Sequence, residues 1–282
     1  MIHTRVALAA LVILLAACST TTPQVDAART PAGSSATSSA PDAPARANGP
    51  ERIAPRTALG RPPQPVMTVA YRADLVSDHC VDRDLPAPPV DAGDEALVLL
   101  DRSYALSAEY APDDLVPASA AGLGGASGTK LIRAALVDDL AAMAHAWEAA
   151  GLTISIDSAY RSYANQVATF DVWATRLGVA EALERTARPG HSEHQLGTAL
   201  DLTSPGWSGR FGDWAAESAE GAWMAAHGWE YGFVMSYPAG GRDETCFSYE
   251  PWHYRWIGRE AAAAHRASDL DLRRFLERYV GA

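Results

Sequence analysis

The chain has 282 residues, 48% hydrophobic and 20% charged, which suits one large globular domain or two small ones and excludes a wholly disordered protein. Its 23 basic and 34 acidic side chains leave a net charge of −11. That balance argues against a nucleic-acid binder, which needs a basic face to displace counterions.

Arg5 precedes an apolar run, Val6 to Ala17, of signal-peptide length and too short to span a bilayer. The run ends in Leu15-Ala16-Ala17-Cys18, and small residues before a cysteine resemble the bacterial lipobox. There the cysteine is lipidated and becomes the mature N-terminus; ordinary cleavage nearby, with Cys18 lost, is the alternative. Two acyl signals would anchor the chain stably. The expectation is an exported protein, lipid-anchored to the outer face of the cell membrane and facing the cell wall. Residues 19–65 are Ala, Pro, Ser and Thr with scattered charge and no apolar stripe, which reads as a disordered tether. A flexible chain of that length spans about 40 Å. The expected organisation is a signal peptide over 1–18, a tether over 19–65 and a folded domain over 66–282.

With Cys18 assigned to lipid, Cys80 and Cys246 remain as an even pair in an exported chain. A disulfide between them is expected, with free thiols or a thiolate zinc ligand as the other readings.

In the folded part, Leu131 to Ala150 carries apolar residues at helical spacing and Gly151 is a natural stop. Leu152 to Asp157 alternates with period two, as a half-buried strand does. Ser162 to Leu177 reads as a helix with Val167, Phe170 and Trp173 on one side, and Thr198–Leu202 and Gly232–Ser236 as short strands. Helices over Arg259–Ala267 and Leu270–Tyr279 close the chain. Helices and strands without a regular βαβ rhythm predict an α+β domain. Gly122 to Gly128 lacks the strand, lysine and spacing of a nucleotide loop.

The chemistry lies in three short blocks, of which the middle is Gly190-His191-Ser192-Glu193-His194-Gln195-Leu196-Gly197-Thr198-Ala199-Leu200-Asp201 and the last is Glu250-Pro251-Trp252-His253-Tyr254. Two histidines and an aspartate form the kind of set that binds catalytic zinc and leaves a fourth position for water. On one helix His194 and Asp201 would sit about 10 Å apart, and on one straight strand they would face opposite sides. A bend at Gly197 is therefore expected. Pro251 disfavours a helical Glu250, so a bulge is expected between Glu250 and His253.

Ser192-x-His194-(x6)-Asp201 followed by Glu250-x-x-His253 resembles the signature of the VanY-type D-alanyl-D-alanine carboxypeptidases, within the LAS zinc peptidases of bacterial peptidoglycan. The words Ser158-Ala159-Tyr160-Arg161-Ser162-Tyr163 with Gln166, and Glu250-Pro251-Trp252-His253-Tyr254-Arg255, match too, and the similarity covers roughly Val98 to Gly258. The resemblance implies a single zinc-peptidase domain of the LAS and hedgehog-like type, a small central antiparallel sheet flanked by helices. It implies zinc on His194, Asp201 and His253, Glu250 as general base, and Arg161 stabilising the developing oxyanion. Gln166 and Ser192 would contact the peptide's terminal carboxylate or backbone, and Tyr237 would line the substrate pocket. His191 and His227 match no family role, and Glu193 is taken as an outward-facing acid rather than a partner of the ligands. The stretch Ala239 to Phe247 departs from the family pattern. A bridge from Cys246 to Cys80 would pin an N-terminal segment near the cleft.

The resulting expectation is a monomeric zinc carboxypeptidase that removes the terminal D-alanine from peptidoglycan stem peptides. A peptidoglycan endopeptidase or an L,D-carboxypeptidase would share the metal set. A wall-binding module without turnover would be expected to lack the base, and Glu250 is present.

Overall fold

Apolar and polar residues alternate from Leu200 to Thr203 of the strand Ala199–Thr203, and this strand organises the sheet that carries the site. The computed structural model describes residues 78–91 and 93–279, and these lie in one compact unit, Gln64–Ala282. The signal segment, Cys18, the tether and the start of the folded domain at residue 66 fall outside the described residues.

In chain order the strands and helices begin with β1 (Leu85–Pro86), β2 (Tyr104–Ala105), β3 (Leu115–Pro117) and α1 (Gly125–Gly128). Then come β4 (Leu131–Arg133), α2 (Val137–Ala149), β5 (Ser155–Ser158), α3 (Tyr163–Leu177) and α4 (Val179–Arg185). After β6 (Ala199–Thr203) follow α5 (Trp214–Glu217), α6 (Ala219–His227), β7 (Phe233–Met235) and α7 (Arg242–Thr245). The last are β8 (His253–Trp256), α8 (Arg259–Ser268) and α9 (Leu272–Tyr279).

The central sheet has the order β5-β6-β8-β7 and every pairing in it is antiparallel. One face buries Ile156, Leu200, Leu202, Phe233 and Tyr254 against Leu140, Met143 and Trp147 of α2 and against Trp214 and Met224. A second cluster packs Phe275 and Leu276 of α9 on Val234, Ile257 and Leu99. The architecture is α+β, a small antiparallel sheet flanked by helices. Among the described residues no helix is long and apolar enough to cross a membrane.

Several of the expected elements begin later than periodicity predicts, the last helix at Leu272 rather than Leu270 among them. The helix expected from Leu131 begins at Val137, because Leu131–Arg133 pairs with Leu115–Pro117 as a two-stranded ribbon. The strand expected from Leu152 begins at Ser155. Helix α3 starts where expected: the Ser162 hydroxyl accepts the Asn165 N–H at 3.2 Å, an N-cap. Its inward stripe runs through Gln166, Thr169, Phe170 and Trp173, and Val167 is exposed rather than on the buried side.

Candidate active site

Register brings the candidate ligands together. Asp201 of β6 and His253 of β8 are direct cross-strand partners, so their side chains share the face opposite Leu200 and Tyr254. His194 arrives from a 3-10 turn, Glu193–Leu196, which ends at Gly197 with φ 75°. That left-handed residue supplies the expected bend. A Cβ there would sit 3.1 Å from Leu115 and 3.2 Å from Arg133, so space as well as conformation selects glycine. Glu250 enters differently from expectation. The segment is a turn rather than a bulge, closed by the His253 N–H donating to the Glu250 carbonyl at 3.1 Å, with Pro251 at a position its fixed φ suits. The Glu250 N–H donates to the Tyr237 carbonyl at 3.0 Å, which ties the turn to the segment after β7.

The donor atoms converge: His194 Nε2 lies 3.1 Å from Asp201 Oδ2, and His253 Nδ1 lies 3.0 Å from Asp201 Oδ1. The opposite nitrogen of each ring is already committed. His194 Nδ1 donates to the Ala159 carbonyl at 2.7 Å, and His253 Nε2 donates to Glu193 Oε2 at 2.9 Å. A carbonyl or carboxylate fixing one ring N–H leaves the other nitrogen as a lone-pair donor toward the cluster. Two imidazoles and a carboxylate in this arrangement fit zinc, and His194, Asp201 and His253 would hold it. A second cluster, His79, Cys80 and Cys246, is not a metal site here because the two sulfurs are bonded to each other.

Glu193 is the residue that sequence reasoning misplaced. It is buried, not outward-facing. One oxygen takes His253 and the Ser236 hydroxyl, at 2.9 and 2.6 Å, and the other takes Arg255 at 2.9 Å. Arg255, wholly buried, also donates to the carbonyls of Ala96 and Val98. The signal in sequence was Arg255, two residues beyond His253 on one strand and so on the same face.

Electrostatics follow from this packing. Burial raises the Glu193 carboxyl, yet Arg255 and His253 outweigh it and bring the value down to about 2. Burial likewise works against Asp201, and its hydrogen bonds and charge pairing with His194 and His253 hold it far below the usual range. Burial lowers His194. For His253 burial pulls down, but the bonds to Asp201 and Glu193 win and raise it to about 10 without a cation. Burial pushes Glu250 up to about 8.

Arg161 points at this cluster, 3.6 Å from Asp201, and its guanidinium also donates to Ser158 at 3.2 Å and to the Gln166 side-chain carbonyl at 2.9 Å. Gln166, expected to touch substrate, is fully buried, and its amide donates to the Ala187 carbonyl at 2.6 Å. Every polar atom of Gln166 thereby serves the protein, which makes it a residue that positions Arg161. Ser192 and Tyr237 do line the cleft, a cavity of about 390 Å³ with Arg161, Glu250 and the three ligand residues. The Tyr237 ring lies between His253 and Phe247, 5.0 Å from each centroid.

The remaining histidines lie outside the site. His191 is buried and bonded to the Asp101 carbonyl and Asp84, and His227 pairs with Glu230 on the surface. Cys80 and Cys246 form the expected disulfide, joining the N-terminal segment to the loop that leads into Glu250.

The model of the family described as "VanY: D-alanyl-D-alanine carboxypeptidase" matches residues 129–259. The chain is 34% identical over 183 residues to the Bacillus subtilis (strain 168) protein named "Putative carboxypeptidase YodJ", covering 64% of this chain and 67% of that one. Among solved structures it is similar to the LdcB LD-carboxypeptidase, with 32% identity, a TM-score of 0.59, and coverage of 72% of this chain and 97% of that chain. It is also similar to a vancomycin-resistance D,D-pentapeptidase VanY in complex with Zn(II), at 27% identity and a TM-score of 0.55 over 64% of this chain and 99% of the other.

Proposed function

Because the chain belongs to the VanY family of D-alanyl-D-alanine carboxypeptidases, which are zinc metallopeptidases, we propose that it removes the terminal D-alanine from peptidoglycan stem peptides. The observation that carries this reading is the convergence of His194, Asp201, His253, Glu250 and Arg161 on one cleft.

Bound zinc supplies a Lewis acid that lowers the pKa of water and polarises a carbonyl. The chain's own residues do the rest. Glu250, whose carboxylate lies 3.9 Å from His253, takes the proton of the attacking water and passes it to the leaving amine. Arg161, held in place by Gln166 and Ser158, meets the negative charge that grows on the scissile carbonyl oxygen. Ser192 and Tyr237 line the wall that the substrate contacts. Zinc-loaded protein offered a stem pentapeptide should release free D-alanine and lose that activity to a chelator. Turnover that survived both zinc removal and Glu250→Ala would overturn the assignment.

An L,D-carboxypeptidase is the second reading, favoured by the likeness to LdcB. An endopeptidase would use the same groups. Mass spectrometry of digested sacculi separates them: single D,D-linked residues lost, L,D-linked residues lost, or cross-links split.

We also propose that the chain is exported, lipidated on Cys18 and active as a monomer at the outer face of the membrane. Support comes from the apolar run and lipobox-like end at Leu15 to Cys18, and from a disulfide that suits an oxidising compartment. Partition into detergent that is lost in Cys18→Ser tests the anchor, and light scattering of the detergent-free domain tests the monomer.

A further inference from the structure

The cleft does not end at Glu250. A second lobe of about 650 Å³ adjoins it and shares Asp157, Trp173, Arg185, Asp201, Glu250 and Trp252 with the first. Its outer wall is aromatic. Phe211 meets Trp252 edge-to-face at 5.5 Å, and Phe211 and Tyr249 are large apolar side chains left 39% and 37% exposed. Exposed aromatics gathered on one cavity wall mark a binding surface rather than chance exposure.

Asp157 stands at the seam of the two lobes, and the backbone puts it there. Ile156 pairs with Leu202 but Ser158 pairs with Asp201, so Asp157 is the extra residue of a β-bulge in β5. The bulge changes the parity of the strand: Ile156 faces the core, Ser158 joins the site face beside Asp201, and Asp157 is thrown out toward the cleft mouth. The two arginines on the lobe are engaged elsewhere, Arg210 with Asp213 at 2.9 Å and Arg185 with Glu181 at 2.8 Å. Among the described residues Asp157 enters no ion pair. An acid beside an aromatic wall complements a cation on a hydrocarbon stem, with the stem over the rings and the charge on the carboxylate.

We propose that this second lobe binds the retained, acyl side of the substrate, and that Asp157 selects a diamino acid there through its side-chain ammonium, with Phe211 and Trp252 packing its methylenes. The inference rests on the carboxypeptidase reading. A carboxypeptidase releases one small residue, which the smaller lobe suits, and must accommodate a longer peptide on the other side of the scissile bond. In a stem pentapeptide the diamino acid lies one residue back from the D-alanine whose carbonyl is attacked.

The test compares two pentapeptides, one with a free lysine side chain in the third position and one with that amine acetylated, alongside acetyl-D-Ala-D-Ala. The wild-type chain should prefer the free amine by about tenfold in kcat/KM, the scale of one charge-assisted hydrogen bond. Asp157→Asn should bring that ratio close to one. Phe211→Ala should lower the ratio of pentapeptide to acetyl-dipeptide turnover. Equal wild-type rates on the two pentapeptides, or a preference that persists in Asp157→Asn, overturns the proposal. If no peptide is cut, the carboxypeptidase reading fails separately, and calorimetry of the same pentapeptides on the zinc-loaded chain decides the lobe. Tighter binding of the free amine, lost in Asp157→Asn, then supports it, and equal or absent binding overturns it.

Discussion

His253 and Glu193 share one hydrogen bond, 2.9 Å from Nε2 to Oε2, and that bond decides which nitrogen of His253 faces the cluster. Glu193 is itself held by Arg255 and Ser236, so the ring's orientation is set by a buried chain of charges reaching the carbonyls of Ala96 and Val98. Glu193→Ala is expected to weaken zinc binding by about 10–100-fold, the usual cost of losing an outer partner of a ligand, measured by competition with a chromophoric chelator. The same substitution strands the Arg255 charge and should lower stability by about 3–5 kcal/mol in denaturant titration.

Ligands and base should separate cleanly. Alanine at His194, Asp201 or His253 is expected to abolish stoichiometric zinc, because these are the donors that converge. Glu250→Ala and Arg161→Ala should keep zinc and lose turnover, the former by about a hundredfold or more. Metal analysis beside kinetics checks the pattern, and full zinc in Asp201→Ala would mean the roles are wrongly divided.

Zinc-free protein should lose stability as pH rises from about 6.5 to 8, and two groups act in that direction. His253 is raised from 6.5 to about 10, so its stabilising contribution is complete below the unfolded value and is lost as pH climbs through the folded one. Glu250 is raised from 4.5 to about 8, so the folded state favours its neutral form and that advantage also fades upward. Glu193 acts oppositely: lowered from 4.5 to about 2, its contribution stands above 4.5 and is lost on acidification toward 2. Zinc uptake displaces the His253 proton, so affinity should rise about tenfold per pH unit near neutrality for each proton released. Melting curves with and without zinc across pH, and proton release in weak buffer, measure both effects.

Cys80→Ser/Cys246→Ser should lower the melting temperature. The bridge closes 166 residues, and on the chain-entropy model that is worth up to about 5 kcal/mol. Zinc should still bind, since the ligands lie on β6, β8 and the turn ending at Gly197. Calorimetry of oxidised, reduced and substituted protein gives the ranking.

What could be read from sequence was whatever depends on local chemistry. The Gly197 bend and a helix running from Ser162 follow from residue type and spacing, whereas the meeting of Asp201 with His253, 52 residues apart, is implied by the resemblance to the VanY family. The misreadings came from contacts between distant segments. Leu131–Arg133 has a helical pattern but is captured by Leu115–Pro117, and β1 and β2 are two residues each, too short to leave a periodic trace. Glu193 looked like a surface acid because its partner Arg255 lies 62 residues away. Gln166 was a substrate contact only by the family resemblance, and packing shows its amide turned inward to the Ala187 carbonyl.

Strand β8 has neighbours on both sides and carries a ligand on one face and the core residue Tyr254 on the other. The metal centre is therefore built into the part of the sheet that opens last. Fraying of an edge or a terminus does not release His253, and separating β8 from β6 would expose Leu200 and Tyr254 together, which amounts to global unfolding. The amides of β8 should accordingly rank among the slowest in the molecule to exchange with deuterium, whether or not the cation is present.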